Sequence, residues 1–303
     1  MIDLHFHSYY SDGIDSPADL AKKAKEIGLA TVCLTDHNAI NGYQEFMTAG
    51  QSLGLNVVTG VEIYTNYKDK RLHLLGYDFN PDDQDLNLIL KELQEKHLPQ
   101  VKETINILKN DGWKIEEKDA FAGPAAYIGM ANIAGLLPKD AQNWERIKKD
   151  FNWHQGKIIP ITEIIAKYFY KENKGNFSPY KNKCPIYREA EMPIEKAIKL
   201  IKQAGGKAVL AHPGQHLSWR EDQIVSELKD FGLAGLEAIS SHHSWQQIEH
   251  WQILAKELDL LITVGSDFHG QVPEDWQFLV RSPWDFFKIN KSDSFLLFDK
   301  KEK

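Results

Sequence analysis

Cysteine is scarce in this sequence of 303 residues, which has only Cys33 and Cys184. Two cysteines cannot supply a disulfide framework or a thiolate zinc cluster, and this favours the reducing cytoplasm as the location. Long apolar runs are lacking too, since no stretch of about 18 apolar residues occurs, and we expect no membrane span. No basic segment precedes an apolar stretch at the start of the chain, so a secretory signal is not expected.

An excess of positive charge is also lacking. The 43 acidic residues outnumber the 36 lysines and arginines, which gives a formal net charge of -7. Duplex nucleic acid is held largely through its phosphates by basic surfaces, so we expect this chain to bind no duplex. A small nucleotide could still enter a local cationic pocket.

What the sequence does contain is an alternation of strand-like and helix-like segments, broken once by a long helical stretch. Ile2 to His7 alternates with a period of two, and Ser16-Pro17 is typical of a helix start, with an N-cap serine followed by proline. Further strands are predicted at 31–36, 56–63, 71–78, 207–212, 234–239 and 260–267. The pattern predicts an α/β fold, either a barrel or a doubly wound sheet.

The break in the alternation divides the chain into two predicted domains. Residues 83–191 have the apolar periodicity of helices and form an insertion, whereas residues 1–82 and 192–303 together form the α/β domain. Within the α/β domain, only Tyr64 to Lys70 separate two strands, which is too short for a parallel crossover. We therefore predict an antiparallel hairpin that brings Glu62 close to His73.

Histidines and carboxylates collect at the predicted carboxyl ends of the strands, the edge at which α/β barrels build their active sites. His5-x-His7 puts two imidazoles on one strand face about 6–7 Å apart, within reach of one metal ion. Asp267-x-His269 repeats this geometry on the last strand, which would lie beside the first strand in a closed barrel. The strand ends carry His5, His7, Asp36, His37, Glu62, His212, Glu237, Asp267 and His269. Any one such residue could be a turn, a cap or a solvated ring, but nine metal-competent side chains on one rim predict a metal centre.

An ordered set of motifs resembles those of the polymerase and histidinol phosphatase (PHP) superfamily. They are His5-x-His7-x-x-x-x-Asp12-Gly13, Thr35-Asp36-His37-Asn38, Gly60-x-Glu62, His73-Leu74-Leu75-Gly76-Tyr77, Ala211-His212-Pro213 and Gly265-Ser266-Asp267-Phe268-His269-Gly270. The resemblance implies a distorted (β/α)7 barrel, a trinuclear metal centre and phosphoesterase chemistry. The helical insertion resembles the branch that dephosphorylates nucleoside 3′,5′-bisphosphates and trims short 5′-phosphorylated oligonucleotides, and it would cap the substrate.

The resemblance also implies the ligands of three divalent ions, which could be manganese, zinc or iron. The first ion would be held by His5, His7, Glu62 and Asp267. Glu62 would bridge to a second ion, completed by His73 and His212, and the third ion would be held by Asp12, His37 and His269. Mixed imidazole and carboxylate ligands suit all three metals and select none of them. Asp36 is expected to orient a liganding histidine.

Charge arithmetic indicates the class of substrate. Three divalent ions carry +6 and Asp12, Glu62 and Asp267 carry -3, which leaves +3 and favours a hydroxide and a phosphate dianion over a neutral amide. We therefore predict a phosphoric ester hydrolase in which a metal-bridging hydroxide attacks the phosphate monoester of a small metabolite or nucleotide, with Glu62 and Asp267 as catalytic residues. The alternatives are a metal-dependent amide or ester hydrolase and a non-catalytic metal-binding module.

Two further positions are candidates for contact with the substrate. His243-Ser244 resembles a family pattern, so His243 could contact substrate or assist the leaving oxygen, with a capping role as the alternative. Relatives in the nucleotide-phosphatase branch carry Gly-Arg-Pro-His-Ile-Ala in the insertion, where this chain has Gly129-Met130-Ala131-Asn132-Ile133-Ala134. The missing arginine would be a bidentate phosphate clamp, for which Arg188, Lys183 or Lys181 could compensate. Arg188 is the best single candidate, with a plain surface arginine as the alternative.

No chemistry is predicted for the remaining histidines. His242 is expected to point differently from His243, and four others are expected on solvated helices or loops: His97, His154, His216 and His250. Five aromatic residues of the insertion could stack on a base, but helical spacing favours a hydrophobic core for them: Phe151, Trp153, Tyr168, Phe169 and Tyr170.

Overall fold

The computed structural model of this chain describes residues 1–154, 159, 161–169 and 191–270. Its strands are β1 (Ile2–Phe6), β2 (Thr31–Leu34), β3 (Asn56–Val58), β4 (Gly60–Tyr67), β5 (Lys70–Tyr77), β6 (Met192–Pro193), β7 (Lys207–Leu210), β8 (Gly235–Ser240) and β9 (Leu261–Gly265). Within these ranges they form a three-stranded sheet in the order β1-β2-β3 and a six-stranded sheet in the order β6-β4-β5-β7-β8-β9. The pairs β4–β5 and β5–β7 are antiparallel and the others are parallel. The predicted mixed α/β fold is confirmed.

Helices connect the strands and fill the insertion. They are α1 (Pro17–Glu26), α2 (Tyr43–Ser52), α3 (Gln84–Asn110), α4 (Glu117–Ala120), α5 (Met130–Leu136), α6 (Ala141–Asp150), α7 (Ile161–Tyr168), α8 (Ile194–Gln203), α9 (Pro213–His216), α10 (Asp222–Asp230) and α11 (Trp245–Glu257), with a 3-10 turn at Leu137–Lys139. Helix α1 begins as predicted, because the Ser16 hydroxyl accepts a hydrogen bond from the Asp19 N–H at 3.0 Å. Within the described ranges, no helix combines the length and the apolar character that a bilayer crossing requires.

The predicted strand at 56–63 is divided in two at Thr59. Its first half, β3, pairs with β2, whereas its second half, β4, forms the predicted antiparallel hairpin with β5. Gly60 begins β4 where it passes close to β2, and a Cβ atom there would lie 2.1 Å from the Cys33 sulfur. Only glycine, which has no Cβ atom, allows β4 to begin so close to β2. The chain passes from the first sheet to the second at this point.

Two isolated parallel bridges join the sheets, Phe6 with Phe268 and His37 with Glu62. They set the end of β1 beside the residues that follow β9, and the residues after β2 beside β4. The ladders of the described strands form two sheets and no closed ring, so the (β/α)7 barrel stays a prediction.

The insertion has a hydrophobic cluster of its own. Val101, Leu108 and Trp113 belong to it, together with apolar residues of α5, α6 and α7. Four of the five aromatic residues singled out in the sequence are part of this cluster or pack against it: Phe151, Trp153, Tyr168 and Phe169. They form the core that helical spacing favours, and Tyr170 lies outside the described residues.

Candidate metal centre

The first and last strands bring their predicted ligand pairs side by side. The His7 N–H donates to the Phe268 carbonyl and the Asp267 N–H donates to the His5 carbonyl, both at 2.8 Å. As a result, His7 Nε2 lies 2.9 Å from Asp267 Oδ1, and the His269 ring stacks on the His7 ring with 4.3 Å between centroids. Residues separated by some 260 positions in the sequence therefore meet in one cluster. We call this cluster of imidazoles and carboxylates around Glu62 the basin.

Glu62 lies at the middle of the basin and is fully buried. Its Oε1 atom lies 2.9 Å from His73 Nδ1 and 3.1 Å from His212 Nε2. Its Oε2 atom faces another set of ring nitrogens, at 3.2 Å from His5 Nε2, 3.3 Å from His7 Nε2 and 2.9 Å from His37 Nδ1. Each carboxylate oxygen thus faces a different group of imidazoles, which is the geometry that a bridging ligand needs.

Asp12 anchors a further group on the far side of His7. Its Oδ1 lies 3.3 Å from His269 Nε2, and its Oδ2 lies 3.6 Å from His37 Nε2. His7 Nδ1 faces the same carboxylate at 3.9 Å. Two groups of four residues can each offer ligand atoms within 4.8 Å of one another: His5, His7, Glu62 and Asp267, and His7, Asp12, His37 and His269. His7 belongs to both groups, a sharing that the sequence did not predict.

The donor atoms of the basin fit divalent cations. Five atoms of these residues are buried without a hydrogen-bond partner in the described part of the chain: His5 Nε2, His7 Nδ1, His37 Nδ1, His212 Nδ1 and Glu62 Oε2. Buried polar atoms are normally hydrogen-bonded, and a cluster of exceptions requires an explanation. Neutral imidazole nitrogens and carboxylate oxygens that converge in this way have the lone pairs that a metal ion binds.

The carboxylates and imidazoles perturb one another strongly. Burial alone lowers the pKa of His7, but the adjacent carboxylates of Asp267 and Glu62 raise it to about 10. Burial alone raises the pKa of Glu62, but the neighbouring imidazoles, His37 foremost, hold it well below its usual range. The pKa of Asp267 is likewise lowered against the effect of burial, chiefly by His5 and His269. The basin therefore attracts positive charge, which is protons where no cation is bound.

Glu237 is a functional residue that the ligand prediction omitted. It is fully buried, its Oε1 lies 2.8 Å from His5 Nδ1, and its Oε2 accepts the His212 N–H at 2.8 Å. When Glu237 accepts a hydrogen bond from Nδ1–H of His5, the Nε2 lone pair of His5 is directed toward Glu62. A signal was present in the sequence, because an acidic residue on a wholly buried strand such as β8 needs partners.

Asp36 differs from its predicted role of orienting a histidine. It accepts hydrogen bonds at 2.7 Å from the Ser8 N–H, the Ser8 hydroxyl and the Ser11 hydroxyl. Burial raises the pKa of this carboxyl group. Asp36 therefore fixes the loop that carries Asp12 rather than an imidazole.

The histidine pair after β8 divides its contacts. His242 Nε2 lies 2.7 Å from Asp267 Oδ2, although no chemistry was predicted for His242. His243 Nδ1 lies 3.0 Å from the Ala238 carbonyl, and its Nε2 accepts the Gly214 N–H at 2.9 Å. Both nitrogens of His243 are thus held by backbone groups. Arg188, Lys183 and Lys181 lie outside the described residues.

Two histidines expected in solvent pack against other residues, His97 fully buried and His216 half-buried. His97 is 2% exposed, and its Nε2 bonds to the Ile128 carbonyl because this turn of α3 faces the insertion core. His216 lies against His73, with 4.8 Å between ring centroids. His154 is exposed as predicted, and His250 pairs with Asp222 at 2.9 Å.

The insertion meets the metal centre at the start of α5. The Asn132 side chain donates to the Ser11 carbonyl at 2.8 Å, and the Ala126 N–H donates to the Tyr10 carbonyl at 2.8 Å. A Cβ atom added at Gly129 would lie 3.8 Å from Asp12 Oδ2. The stretch in which this chain departs from the family pattern therefore borders the Asp12 side of the basin.

Known proteins are similar to this chain in sequence and structure over most of its length. The PHP domain model matches residues 3–172. A 5′-3′ exoribonuclease of Haemophilus influenzae is 29% identical over 273 residues, which cover 88% of this chain and 89% of the relative. A 3′,5′-nucleoside bisphosphate phosphatase of Chromobacterium violaceum is 27% identical over 279 residues, covering 89% and 87%. The crystal structure of a candidate metal-dependent phosphoesterase from Bifidobacterium adolescentis superposes with a TM-score of 0.72 at 26% identity, covering 89% of this chain and 87% of the other.

Proposed function

Because the chain belongs to the PHP domain family and is a metal-dependent phosphoesterase, we propose that it hydrolyses the phosphate monoester of a small metabolite or nucleotide. The observation that carries this proposal is the convergence of imidazoles and carboxylates with unpartnered buried donor atoms around Glu62. The related phosphatase and exoribonuclease favour two substrates, a nucleoside 3′,5′-bisphosphate and a short 5′-phosphorylated oligonucleotide.

We propose three divalent ions, manganese, zinc or iron, held as the sequence resemblance implies. When bound, such ions supply an activated water and neutralise charge on the phosphoryl group. Asp12, Glu62 and Asp267 contribute the negative charge that retains them. Glu237 keeps the His5 lone pair directed inward, and Asp36 holds the loop of Asp12, so the donor atoms are oriented before substrate binds.

For His243, the geometry favours the capping alternative. A direct contact with the leaving oxygen would require its Nε2 to exchange the Gly214 N–H for the substrate. By holding Gly214, His243 steadies the turn that carries His212. We therefore propose that His243 is a positioning residue next to the metal centre.

The guanidinium of Arg71, on β5, can bind a second anionic group of the substrate. Arg71 shares a face of β5 with His73, about 6–7 Å further along the strand. Its guanidinium lies 5.1 Å from the centre of the Tyr64 ring, which stacks on His37 at 4.4 Å, and it pairs with Glu191. This position suits the phosphate that is not hydrolysed.

The Arg71 assignment is tested by comparing two substrates. Arg71→Gln should raise KM for a nucleoside 3′,5′-bisphosphate about 10-fold, since a hydrogen bond to a charged group contributes about 1.5 kcal/mol or more. It should leave KM for p-nitrophenyl phosphate, which has one phosphate, unchanged. Arg220→Gln is the control. Equal effects on both substrates would contradict the assignment.

We also propose that the two sheets together form the distorted (β/α)7 architecture, with the insertion 83–191 as a cap on the domain made of 1–82 and 192–303. The contacts of Ala126 and Asn132 with the loop of Asp12 support a capping role. The scarcity of cysteine supports a cytoplasmic location.

The function is tested by metal analysis of the purified protein together with a phosphate-release screen. The panel contains nucleoside 3′,5′-bisphosphates, mononucleotides, a 5′-phosphorylated oligonucleotide, histidinol phosphate, and amide and ester substrates. We expect phosphate release that requires a bound divalent ion, with nucleotide substrates preferred. Amide cleavage without phosphate release would favour the hydrolase alternative, and full metal occupancy without any turnover would favour the non-catalytic module.

A further inference from the structure

We propose that His216 is an additional ligand of the cation held by Glu62, His73 and His212, an inference that rests on the metal centre of the proposed function. The sequence resemblance assigns no ligand at this position. The consequence is a site with three imidazoles and one carboxylate oxygen, which is richer in nitrogen than the other two sites.

Helix α9 turns His216 back toward the metal centre. His212 directly precedes this single turn and His216 ends it, and the contact between their rings places both side chains on the same side. Their ring centroids are 5.3 Å apart, and the His216 ring lies 4.8 Å from the ring of His73. One ring nitrogen from each of the three histidines can be chosen so that all lie within 4.8 Å of one another.

Two ring nitrogens of these three histidines lack hydrogen-bond partners among the described residues. His216 Nε2 and His212 Nδ1 are both buried without a hydrogen bond in the described part of the chain. Two adjacent imidazoles, each with a buried and unpartnered nitrogen, leave desolvated lone pairs uncompensated. A cation bound by His216 compensates part of this cost.

The backbone holds this arrangement in a strained conformation. His212 has a φ of +23°, which non-glycine residues rarely adopt. Three hydrogen bonds maintain it: the His212 N–H donates to Glu237, the Ala211 N–H donates to the His73 carbonyl, and the Gly214 N–H donates to His243. Strain that the surroundings fix in this way is typical of functional sites, and here it accompanies the placement of His212 and His216 against His73.

The donor set predicts a metal preference. Three imidazoles with one carboxylate oxygen suit zinc, which favours nitrogen ligands and four-coordinate sites. Manganese prefers a larger share of oxygen ligands. The Glu62, His73, His212 and His216 site should therefore retain zinc when the other two sites exchange to manganese.

The test measures zinc binding by the full chain rather than activity. His216→Phe removes the ligand while keeping an aromatic ring against His73 and His212, and His216→Gln is the second variant should the phenylalanine variant not fold. After chelation and titration with zinc, we expect either variant to bind one site at least 10-fold more weakly, and X-ray absorption to count fewer imidazoles per zinc. His154→Phe, at an exposed position of the insertion, is the matched control.

The outcomes separate this inference from the proposed function. Zinc affinity and imidazole count equal to wild type in folded His216→Phe or His216→Gln would overturn the ligand assignment, whatever the phosphatase activity. A wild-type protein that binds zinc and loses one site in these variants, yet releases no phosphate from any substrate, would uphold the ligand and reject the function.

Discussion

At the scale of single residues, Glu62 decides whether the basin can act as one centre. Ring nitrogens from five histidines lie within 3.3 Å of its two oxygens. Glu237 also contacts His5 and His212, but it reaches His212 through the backbone N–H, whereas Glu62 faces the ring nitrogens of both histidines. Glu237 and Asp36 act on the same centre indirectly, by fixing the His5 ring and the loop of Asp12.

Glu62→Gln should therefore lower both metal content and turnover. Glutamine keeps the shape of the side chain but removes its charge and one acceptor oxygen. Changing residues that only orient metal ligands costs roughly 10–100-fold, so we expect turnover to fall at least about 100-fold and at least one cation per chain to be lost. Metal analysis and phosphate release measure the two effects. Glu116→Gln, at a surface carboxylate paired with Lys109, is the control, and normal metal content in Glu62→Gln would refute the bridge.

At the scale of elements, the hairpin β4–β5 and helix α5 set the two sides of the site. The register of the hairpin pairs Tyr64 with His73, so Glu62 and His73 lie one step apart on the same face. Helix α5 reaches the other side, where Asn132 binds the Ser11 carbonyl next to Asp12. The insertion is thus connected to a ligand loop and not only to the outside of the sheet.

Asn132→Ala should weaken the cation at Asp12 without unfolding the insertion. The lost side-chain bonds to Ser11 and Gly129 cost roughly 1 kcal/mol in unfolding free energy. Because the loop of Asp12 loses a support, we expect about 10-fold weaker binding of one cation by titration calorimetry. Asn143→Ala is the matched control, because that amide bridges only the Lys114 backbone within the insertion. If both variants weaken the cation equally, α5 has no specific role.

Elements were predictable from sequence wherever the signal was local. The N-cap at Ser16 and the short connection between β4 and β5 fixed a helix start and a strand direction. The break at Thr59 was missed, because it depends on the close approach of Gly60 to Cys33, some 27 residues away along the chain. The packing of His216 was missed for the same reason: its partner His73 is distant in sequence, and one turn of helix has no periodicity to interpret.

At the scale of the whole molecule, the metal centre connects the two ends of the described α/β domain. His5 and His7 come from β1, whereas Asp267 and His269 follow β9, and the backbone bonds of His5 and His7 join these segments. The insertion, with its own core, touches the centre through the loop of Asp12. Cation binding should therefore change the stability of the whole α/β domain, and it should do so in a pH-dependent manner.

Stability should depend on pH in opposite ways with and without cations. Without them, the pKa of His7 is about 10 against 6.5 for an ordinary histidine, so its stabilising contribution is complete below about pH 6.5 and is lost as pH rises toward 10. The low pKa values of Glu62 and Asp267 matter only at acidic pH. One such proton gives a loss of up to about 1.4 kcal/mol per pH unit. With cations, the neutral imidazole rings bind the metal ions more strongly as their protons leave. A cation at a free concentration of 100 times its Kd adds about 2.7 kcal/mol per site to the free energy of unfolding.

Denaturant unfolding at pH 6.5, 7.5 and 8.5, with manganese under anaerobic conditions or with a chelator, measures this difference. We expect the gap in unfolding free energy between the two conditions to widen with pH. His7→Gln should reduce the slope of the chelated protein, because one of the histidines whose pKa is raised in the basin is gone. His250→Gln, at a histidine paired with Asp222 away from the centre, should keep that slope. If the stability of the chelated wild-type protein rises over this pH range, protons do not occupy the centre. A buried imidazolium between carboxylates loses its attraction to them when it loses its proton, and this loss should lower the stability.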